Sequence, residues 1–346
     1  MIILYSEAHR QRDARTELHG GMLVPPFERP ERMDMILAAM AGRALPAPVP
    51  PEPQPWARIA AVHAADYLTF LEGAWDAWAG AGNRGEAMPT VWPSRRMARA
   101  VVPEDIEGRL GWYALAGETA ISPGTWAAAR AAADVALTGA ARLASGARAA
   151  FALTRPPGHH AAQDMYGGYC FLNNAALAAQ ALRDDGAARV AVLDVDFHHG
   201  NGTQAIFYDR ADVFFASLHG DPLHAFPHFL GGAEETGRGP GEGANVNYPL
   251  PRGTGWAVWA EALEDALARI ARHGAEALVV SLGVDTYTHD PIGFFALDGP
   301  DFTTLGRRLG RVGVPVLFVM EGGYAIDAIG ENVANVLEGY AEVAPR

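Results

Sequence analysis

The sequence of 346 residues predicts an α/β protein built on a parallel sheet, and three observations support this fold class. Short runs rich in Val, Leu, Ala and Phe have the composition of strands that are covered on both faces. Longer segments between these runs carry apolar residues at helical spacing. Strands and helices alternate along the chain, which favours one open sheet flanked by helices.

The predicted elements are bounded by residues that interrupt regular structure. Gly, Pro or Asp flanks the strands, Pro123 and Gly124 precede one helix, and Gly274 follows another. Two long irregular stretches, 81–102 and 220–251, favour an open sheet with elaborated loops over a barrel. The strands are expected at residues 1–5, 149–153, 190–193, 213–217, 278–282 and 314–319. The helices are expected at residues 31–43, 64–79, 126–147, 173–184, 256–273, 301–311 and 329–342.

The composition argues against several classes of protein. No apolar run reaches the roughly 18 residues of a membrane-spanning helix, and the first residues lack the pattern of a signal peptide. The net charge of −13, from 40 acidic and 27 basic residues, repels the phosphates of nucleic acids. The single cysteine, Cys170, excludes an intrachain disulfide. We expect one cytoplasmic domain, 1–346, with neither nucleic acid nor membrane as a partner.

Polar motifs follow four of the predicted strands. These motifs are Arg155–His160, Asp194–Gly202, Gly283–Asp285 and Glu321–Tyr324. In parallel α/β sheets, ligands bind beyond the carboxyl ends of the strands. The four motifs are therefore expected to meet at one edge of the sheet and to form a single site.

One of these motifs has the pattern of a metal site. Asp194, Asp196 and His198 alternate with apolar residues, so in an extended segment they share one face. Carboxylate and imidazole ligands suit Zn²⁺, Fe²⁺ or Co²⁺, and Asp285 would complete a site with open positions for water and substrate. Taken singly, the Asp–His pair is also consistent with a buried hydrogen bond, and Asp285 with a helix or turn cap.

Side chains for catalysis stand at the other strand ends. His159 and His160 can transfer protons, and Tyr324 can donate a hydrogen bond to an oxyanion. Together with a metal, they indicate hydrolysis of an amide. Asp194 is a candidate either to bond a histidine or to bind a monovalent cation. The alternatives are a histidine pair that only stabilises a loop, and a tyrosine that belongs to the core.

Several segments identify a family. RPPGHH, GYCFLNNAALAA, LDVDFHHGNGTQ, FFASLHG, SLGVD and MEGGY resemble the metal-dependent histone deacetylases of the arginase–deacetylase superfamily. TELHGGMLVPPFERPER, DIEGRLGWYALAGETAISPGTW and GDPLHAFPHFLGGAEETG resemble the bacterial branch of that family that acts on acetylpolyamines. The resemblance extends from about residue 2 to residue 340.

The resemblance implies a fold and a reaction. The fold is an open sheet of eight parallel strands, and the reaction is hydrolysis of N-acetyl amides with one catalytic Zn²⁺. The metal ligands carried over by position are Asp196, His198 and Asp285. The catalytic residues are His159, His160 and Tyr324.

The resemblance also implies unequal roles for the two histidines. Asp194 corresponds to the carboxylate that bonds His159, whereas Asn201 stands where class I enzymes have an aspartate beside His160. A neighbouring carboxylate favours the imidazolium form, and a neutral amide does not. We therefore expect His159 to be charged, and His160 to act first as general base and then as general acid.

The resemblance implies a narrow tunnel suited to an acetylated diamine. Gly168 would accept the substrate N–H through its carbonyl, and aromatic walls attract ammonium groups. Glu107, with Glu118 as a second candidate, would hold the distal ammonium group. Core packing of the aromatic residues and solvated surface charge are the alternatives. The wall residues are Tyr169, Phe226 and Ile292.

Two further expectations come from the family. The insertion 81–126 narrows the entrance and packs on a second subunit, and five tryptophans between Trp75 and Trp126 fit such an interface, so we expect a homodimer. A potassium site is the second expectation. The residues that correspond to it are Asp194, Asp196, His198, Ser217 and Leu218.

Three other functions compete with hydrolysis of acetylputrescine, acetylcadaverine or acetylspermidine. A lysine deacetylase acting on proteins or peptides would use the same chemistry. A ureohydrolase would need a second cluster of ligands, which the sequence does not contain. An inactive metal sensor would not need His159, His160 and Tyr324 together.

Overall fold

A central sheet is formed by strands β1 (Ile2–Tyr5), β4 (Ala149–Leu153), β5 (Val190–Asp194), β6 (Val213–Gly220), β7 (Asn245–Leu250), β8 (Ala277–Leu282) and β9 (Val316–Met320). Its order is β1-β4-β9-β8-β5-β6-β7, and every neighbouring pair is parallel. A separate antiparallel hairpin consists of β2 (Glu17–His19) and β3 (Met22–Val24). The structure is a computed structural model that describes residues 1–96 and 101–344, so residues 97–100 of the predicted insertion lie outside the described residues.

Helices cover both faces of the sheet, which confirms the predicted fold class. Val190 and Val192 of β5 pack into the core on one face, and Ala191 and Leu193 pack into the core on the other. Within the described ranges, no helix is both long and apolar enough to cross a bilayer. The helices are α1 (Glu31–Gly42), α2 (Trp56–Ala60), α3 (Ala65–Gly80), α4 (Ile106–Tyr113), α5 (Thr125–Ala144), α6 (Asn174–Asp184), α7 (Asn201–Phe207), α8 (Trp256–His273), α9 (Gly299–Leu309) and α10 (Ile326–Val343).

The described part of the sheet has seven strands where the resemblance implies eight. Val49 lies beside β1, where its N–H donates to Ile3 O at 2.8 Å and its carbonyl accepts from Tyr5 N at 3.1 Å. Proline directly precedes and follows Val49. Because proline has no N–H to donate, the pairing stops after this one residue, and Val49 does not extend into an eighth strand.

Strand β7 lies in a stretch that the sequence predicts to be irregular. Its residues, Asn245–Leu250, mix buried and half-buried positions and include Pro249. A proline and polar residues are tolerated there because β7 is the edge strand of the sheet.

The four strands that precede the polar motifs are neighbours in the sheet. They occur in the order β4-β9-β8-β5, although they are far apart in the sequence. Since all four are parallel, their carboxyl ends meet at one edge. The sheet therefore brings the four motifs together, as the sequence predicts.

Candidate active site

Asp196, His198 and Asp285 form a buried cluster at the carboxyl edge of the sheet. Their ligand-type atoms all lie within 4.8 Å of one another. The Nδ1 atom of His198 lies 3.0 Å from Asp285 Oδ2 and 3.3 Å from Asp196 Oδ1. The two carboxylates follow β5 and β8, which are adjacent strands, so their separation is fixed by the sheet.

Backbone groups hold both carboxylates in place. Gly322 N donates to Asp196 Oδ2 at 2.8 Å, and Phe197 N donates to Asp285 Oδ1 at 2.8 Å. A Cβ atom on Gly322 would lie only 2.4 Å from Asp285 Oδ2, and one on Gly283 only 2.0 Å from Asp196 Oδ2. Only glycine allows this close approach of backbone to carboxylate.

The chemistry of this cluster fits a divalent cation. Burial and the neighbouring Asp196 carboxylate raise the pKa of Asp285 to about 7. Two carboxylates in a dry environment repel each other unless a positive charge lies between them. One imidazole and two carboxylates form a donor set that suits Zn²⁺, Fe²⁺ or Co²⁺. A metal held by Asp196, His198 and Asp285 would remove this repulsion.

The two adjacent histidines have different partners. His159 Nδ1 donates to Asp194 Oδ2 at 2.9 Å, whereas His160 Nδ1 lies 2.6 Å from the amide oxygen of Asn201. Burial alone would lower the pKa of His159, but the carboxylates of Asp194 and Asp196 raise it well above its ordinary value. Burial lowers the pKa of His160 well below its ordinary value, and the neighbouring His159 and His198 lower it further.

The bond to Asn201 also determines the tautomer of His160. An amide oxygen accepts but cannot donate, so the proton of neutral His160 lies on Nδ1. Its Nε2 atom then carries the lone pair. The neutral ring is therefore prepared to accept a proton at Nε2.

An open cavity of about 440 Å³ gives access to these groups. His160, His198 and Tyr324 line it. Phe226 meets the His160 ring edge-on at 5.0 Å between centroids, and Tyr169 lies 5.6 Å from Tyr324. The predicted substrate residues in the lining are Glu118, Gly168, Tyr169, Phe226 and Ile292.

Comparison with known proteins assigns the chain to a family. The family model described as "Histone deacetylase domain" matches residues 26–340. The chain belongs to the histone deacetylase family. It is a hydrolase of that family, as the sequence predicts.

Several relatives of this deacetylase-family chain are similar over their full length. The acetylpolyamine amidohydrolase of Mycoplana ramosa is 59% identical over 341 residues, covering 99% of this chain and 100% of the relative. Acetylpolyamine amidohydrolase 1 of Pseudomonas aeruginosa is 52% identical over 345 residues, with coverage of 99% and 100%. The crystal structure of acetylpolyamine aminohydrolase from Burkholderia pseudomallei superimposes with a TM-score of 0.94 at 39% identity, covering 100% of both chains.

The two predicted substrate glutamates of this deacetylase-family chain occupy different positions. Glu118 lines the cavity, and its Oε1 atom accepts from Gly168 N at 2.7 Å and from the Thr119 hydroxyl at 2.8 Å. Glu107 is exposed in the first turn of α4 and does not line the cavity of the chain. The structure thus brings Glu118, but not Glu107, to the site within one chain.

The residues of the predicted potassium site lie next to the histidine pair. Asp194 at the end of β5 stands opposite Ser217 of β6, and Leu218 follows in that strand. Asp194 Oδ1 also accepts from Asp196 N at 3.1 Å. Asp194 therefore connects the histidine pair, the metal-ligand segment and the neighbouring strand.

Sequence reasoning assigned no role to Glu321, although it stands in the Glu-Gly-Gly-Tyr motif. This buried carboxylate accepts from Gly158 N at 2.6 Å and from His159 N at 3.2 Å. It thus fixes the loop that carries both histidines. Glu321 directly follows β9, which is the neighbour of β4 in the sheet. This position at a strand end was the signal in the sequence that could have indicated a contact with the histidine loop.

A second group that sequence reasoning missed is a buried charge cluster around Glu28. Arg12, Arg32 and Arg155 donate to its carboxylate at 2.8, 3.2 and 2.7 Å. Although burial opposes it, the three guanidinium groups lower the pKa of Glu28 to about 2. The Cζ atom of Arg32 also lies 4.9 Å from the Tyr324 ring centroid, so the charge cluster packs directly against a residue of the site.

A third missed residue, Glu17 of the β2–β3 hairpin, lines the cavity. Its Oε1 atom accepts from the Tyr169 hydroxyl at 3.2 Å, and its Oε2 atom accepts from Phe27 N at 3.1 Å. Burial raises the pKa of Glu17 above its ordinary value. The hairpin therefore places a second carboxylate beside Glu118 in the lining of the cavity.

Proposed function

We propose that this protein hydrolyses the acetyl amide of acetylated polyamines, such as acetylputrescine, acetylcadaverine and acetylspermidine, to acetate and the free amine. The observation that carries the proposal is a cavity lined by His160, His198 and Tyr324, with Asp196 and Asp285 clustered around His198 and the His159 ring against His160. The full-length similarity to proteins named acetylpolyamine amidohydrolase supports the substrate class.

We assign the metal to the buried cluster. Asp196, His198 and Asp285 would hold one Zn²⁺. Fe²⁺ and Co²⁺ are the alternatives, because these cations also bind imidazole and carboxylate ligands. When bound, the cation supplies Lewis acidity toward water and toward the acetyl carbonyl. The remaining chemistry belongs to the side chains of the protein.

His160 is the proposed general base. Its proton lies on Nδ1, against Asn201, so Nε2 can take a proton from water and then return it to the leaving amine. Charged His159, bonded to Asp194, stabilises negative charge that develops nearby. Tyr324 is the proposed donor to the oxyanion, since its side chain lines the same cavity as His160.

The lining of the cavity supports recognition of a thin cation. Tyr169 and Phe226 offer aromatic faces to a methylene chain and to ammonium groups. Glu118 and Glu17 place carboxylates in the same lining. Phe226 and Ile292 are assigned to the walls of the substrate tunnel. The carbonyl of Gly168 is assigned as the acceptor of the substrate N–H.

The proposal includes a homodimer in which segment 81–126 forms part of the interface and Glu107 reaches the entrance. Val91, Val101 and Val102, in the described part of this segment, are exposed apolar side chains, which is typical of a surface that is covered by a partner. The proposal also includes a potassium ion, held by Asp194, Asp196, His198, Ser217 and Leu218. It places the protein in the cytoplasm.

A substrate panel tests the proposed function. The zinc-loaded protein is assayed for acetate release from acetylputrescine, acetylcadaverine, acetylspermidine and an acetyl-lysine peptide, with and without a chelator. We expect kcat/KM for the best acetylpolyamine to exceed that for the peptide by at least about 10-fold, equivalent to 1.4 kcal/mol. Faster turnover of the peptide would favour a lysine deacetylase, and unchanged turnover with chelator would contradict the metal assignment.

A further inference from the structure

Another buried carboxylate, Asp290, lies in the sequence between the metal-ligand residue Asp285 and the wall residue Ile292. Asp290 is 8% exposed. Its Oδ2 atom accepts from Tyr324 N at 2.7 Å and from Ala325 N at 3.3 Å. Its Oδ1 atom accepts from Ile292 N at 3.1 Å. One side chain therefore joins two segments that are more than thirty positions apart in the chain.

We infer that Asp290 is a positioning residue that sets the Tyr324 hydroxyl and the Ile292 wall relative to each other, an inference that rests on the proposed role of Tyr324. Tyr324 follows two glycines, and Gly323 has a φ of +127°, a conformation open mainly to glycine. Such a backbone does not fix the tyrosine by itself. Its position depends on the contacts made by the segment.

The other backbone hydrogen bonds of this segment are made by the glycines, whereas the Tyr324 ring packs against Arg32 and Tyr169. Gly322 N donates to Asp196 at 2.8 Å, and the carbonyl of Gly323 accepts from Arg32 Nε at 2.7 Å. The bond of Asp290 is made to the backbone amide of Tyr324 itself. Loss of that bond leaves the glycine and ring contacts in place but frees the backbone of the residue that carries the hydroxyl.

The role requires a carboxylate rather than an amide. The two oxygens of Asp290 together accept three backbone N–H groups, and Tyr324 and Ile292 use different oxygens. In Asp290→Asn, one oxygen is replaced by an NH₂ group, which only donates. The backbone N–H of either Ile292 or Tyr324 would then point at the NH₂ group of the asparagine. Because both groups are donors, that hydrogen bond would be lost and the segment would move away.

The test uses the zinc-loaded full-length protein and acetylputrescine. Asp290→Ala is expected to lower kcat by about 10²-fold, because a displacement of about 1 Å at a catalytic group costs that much. Asp290→Asn keeps one acceptor oxygen, so it is expected to lower kcat or to raise KM, in either case by less than Asp290→Ala. Bound metal per chain should stay at the wild-type level. Asp327→Asn, an exposed carboxylate in the first turn of α10, is the matched control and should retain wild-type kcat.

A double-mutant cycle separates this inference from the proposed function. In a Tyr324→Phe background, Asp290→Ala should lower kcat by less than about threefold, because residues that act through one group are not additive. An equal loss in both backgrounds would overturn the inference, and so would wild-type kcat in both Asp290 variants. Should Asp290→Ala not fold, the same cycle is run with Asp290→Asn. Wild-type activity of Tyr324→Phe alone would instead contradict the proposed function.

Discussion

The buried end of the cavity and its entrance are held by different kinds of structure. At the buried end, Asp196 and Asp285 follow adjacent strands and accept backbone N–H groups from neighbouring strand ends. At the entrance, half-buried Glu118 belongs to a loop and accepts from Gly168 N of another loop. The comparison indicates that the sheet positions the clustered side chains, whereas loops position the lining to which we assign substrate selection.

The largest effect is expected at the buried end, from His160→Ala. Removal of the proposed general base should lower kcat by about 10²–10⁴-fold. Bound metal should be unchanged because His160 is not among the clustered ligands. Steady-state acetate release and metal analysis measure both quantities. His289→Ala, which changes an exposed histidine, is the control and should retain wild-type kcat. A His160→Ala variant with more than about a tenth of wild-type kcat would contradict the assignment of His160 as the general base.

A second prediction concerns the support of the buried end and has a defined pH dependence. The pKa of Glu28 is lowered from its ordinary 4.5 to about 2 in the folded protein. Its ionised form therefore stabilises the fold above about pH 4.5, and this contribution is lost as the pH falls toward 2. Glu28→Gln leaves three buried guanidinium groups without their carboxylate, which should cost about 3–5 kcal/mol at neutral pH.

Thermal or urea unfolding between pH 2.5 and pH 7 measures this effect. The difference in unfolding free energy between wild type and Glu28→Gln should shrink as the pH falls below about 4.5. Glu72→Gln, on an exposed side chain of α3, is the matched control and should leave the unfolding free energy nearly unchanged. A difference that does not vary with pH would show that Glu28 is not ionised in the fold.

The smallest effect is expected at the entrance, from Glu118→Gln. The amide oxygen of glutamine can still accept from Gly168 N, so the loop should be preserved while the charge is lost. KM for acetylputrescine should rise by about 5- to 10-fold, equivalent to about 1 kcal/mol for one charge pair near water. KM for a neutral acetyl amide should change little. Equal effects on both substrates would contradict recognition of the ammonium group by Glu118.

The same contrast explains how much the sequence predicts. The clustering of Asp196, His198 and Asp285 was predictable because these residues lie just beyond two buried apolar runs, and parallel strands bring such positions to one edge. The partners Asp194 and Asn201 of the two histidines came from the family resemblance, and the structure places both within hydrogen-bond distance.

Other features depend on contacts that local patterns do not record. Glu28 and Glu321 are ordinary glutamates in the sequence. Glu28 has two arginine partners nearby in the chain, but its third partner, Arg155, and the Gly158 partner of Glu321 are more than a hundred positions away. Strand β7 lacks a continuous apolar run because it is an edge strand. Val49 lies in the place of an eighth strand but is flanked by proline, so its pairing ends after one residue.

The most direct test of the account is anomalous diffraction at the zinc absorption edge from crystals of the zinc-loaded protein. One peak is predicted at about 2.0–2.2 Å from Asp196, His198 and Asp285 together, the distances of zinc to nitrogen and oxygen ligands. The peak should disappear in Asp285→Ala crystals grown under the same conditions. A zinc peak elsewhere in the chain, or none at these three residues, would contradict the central claim.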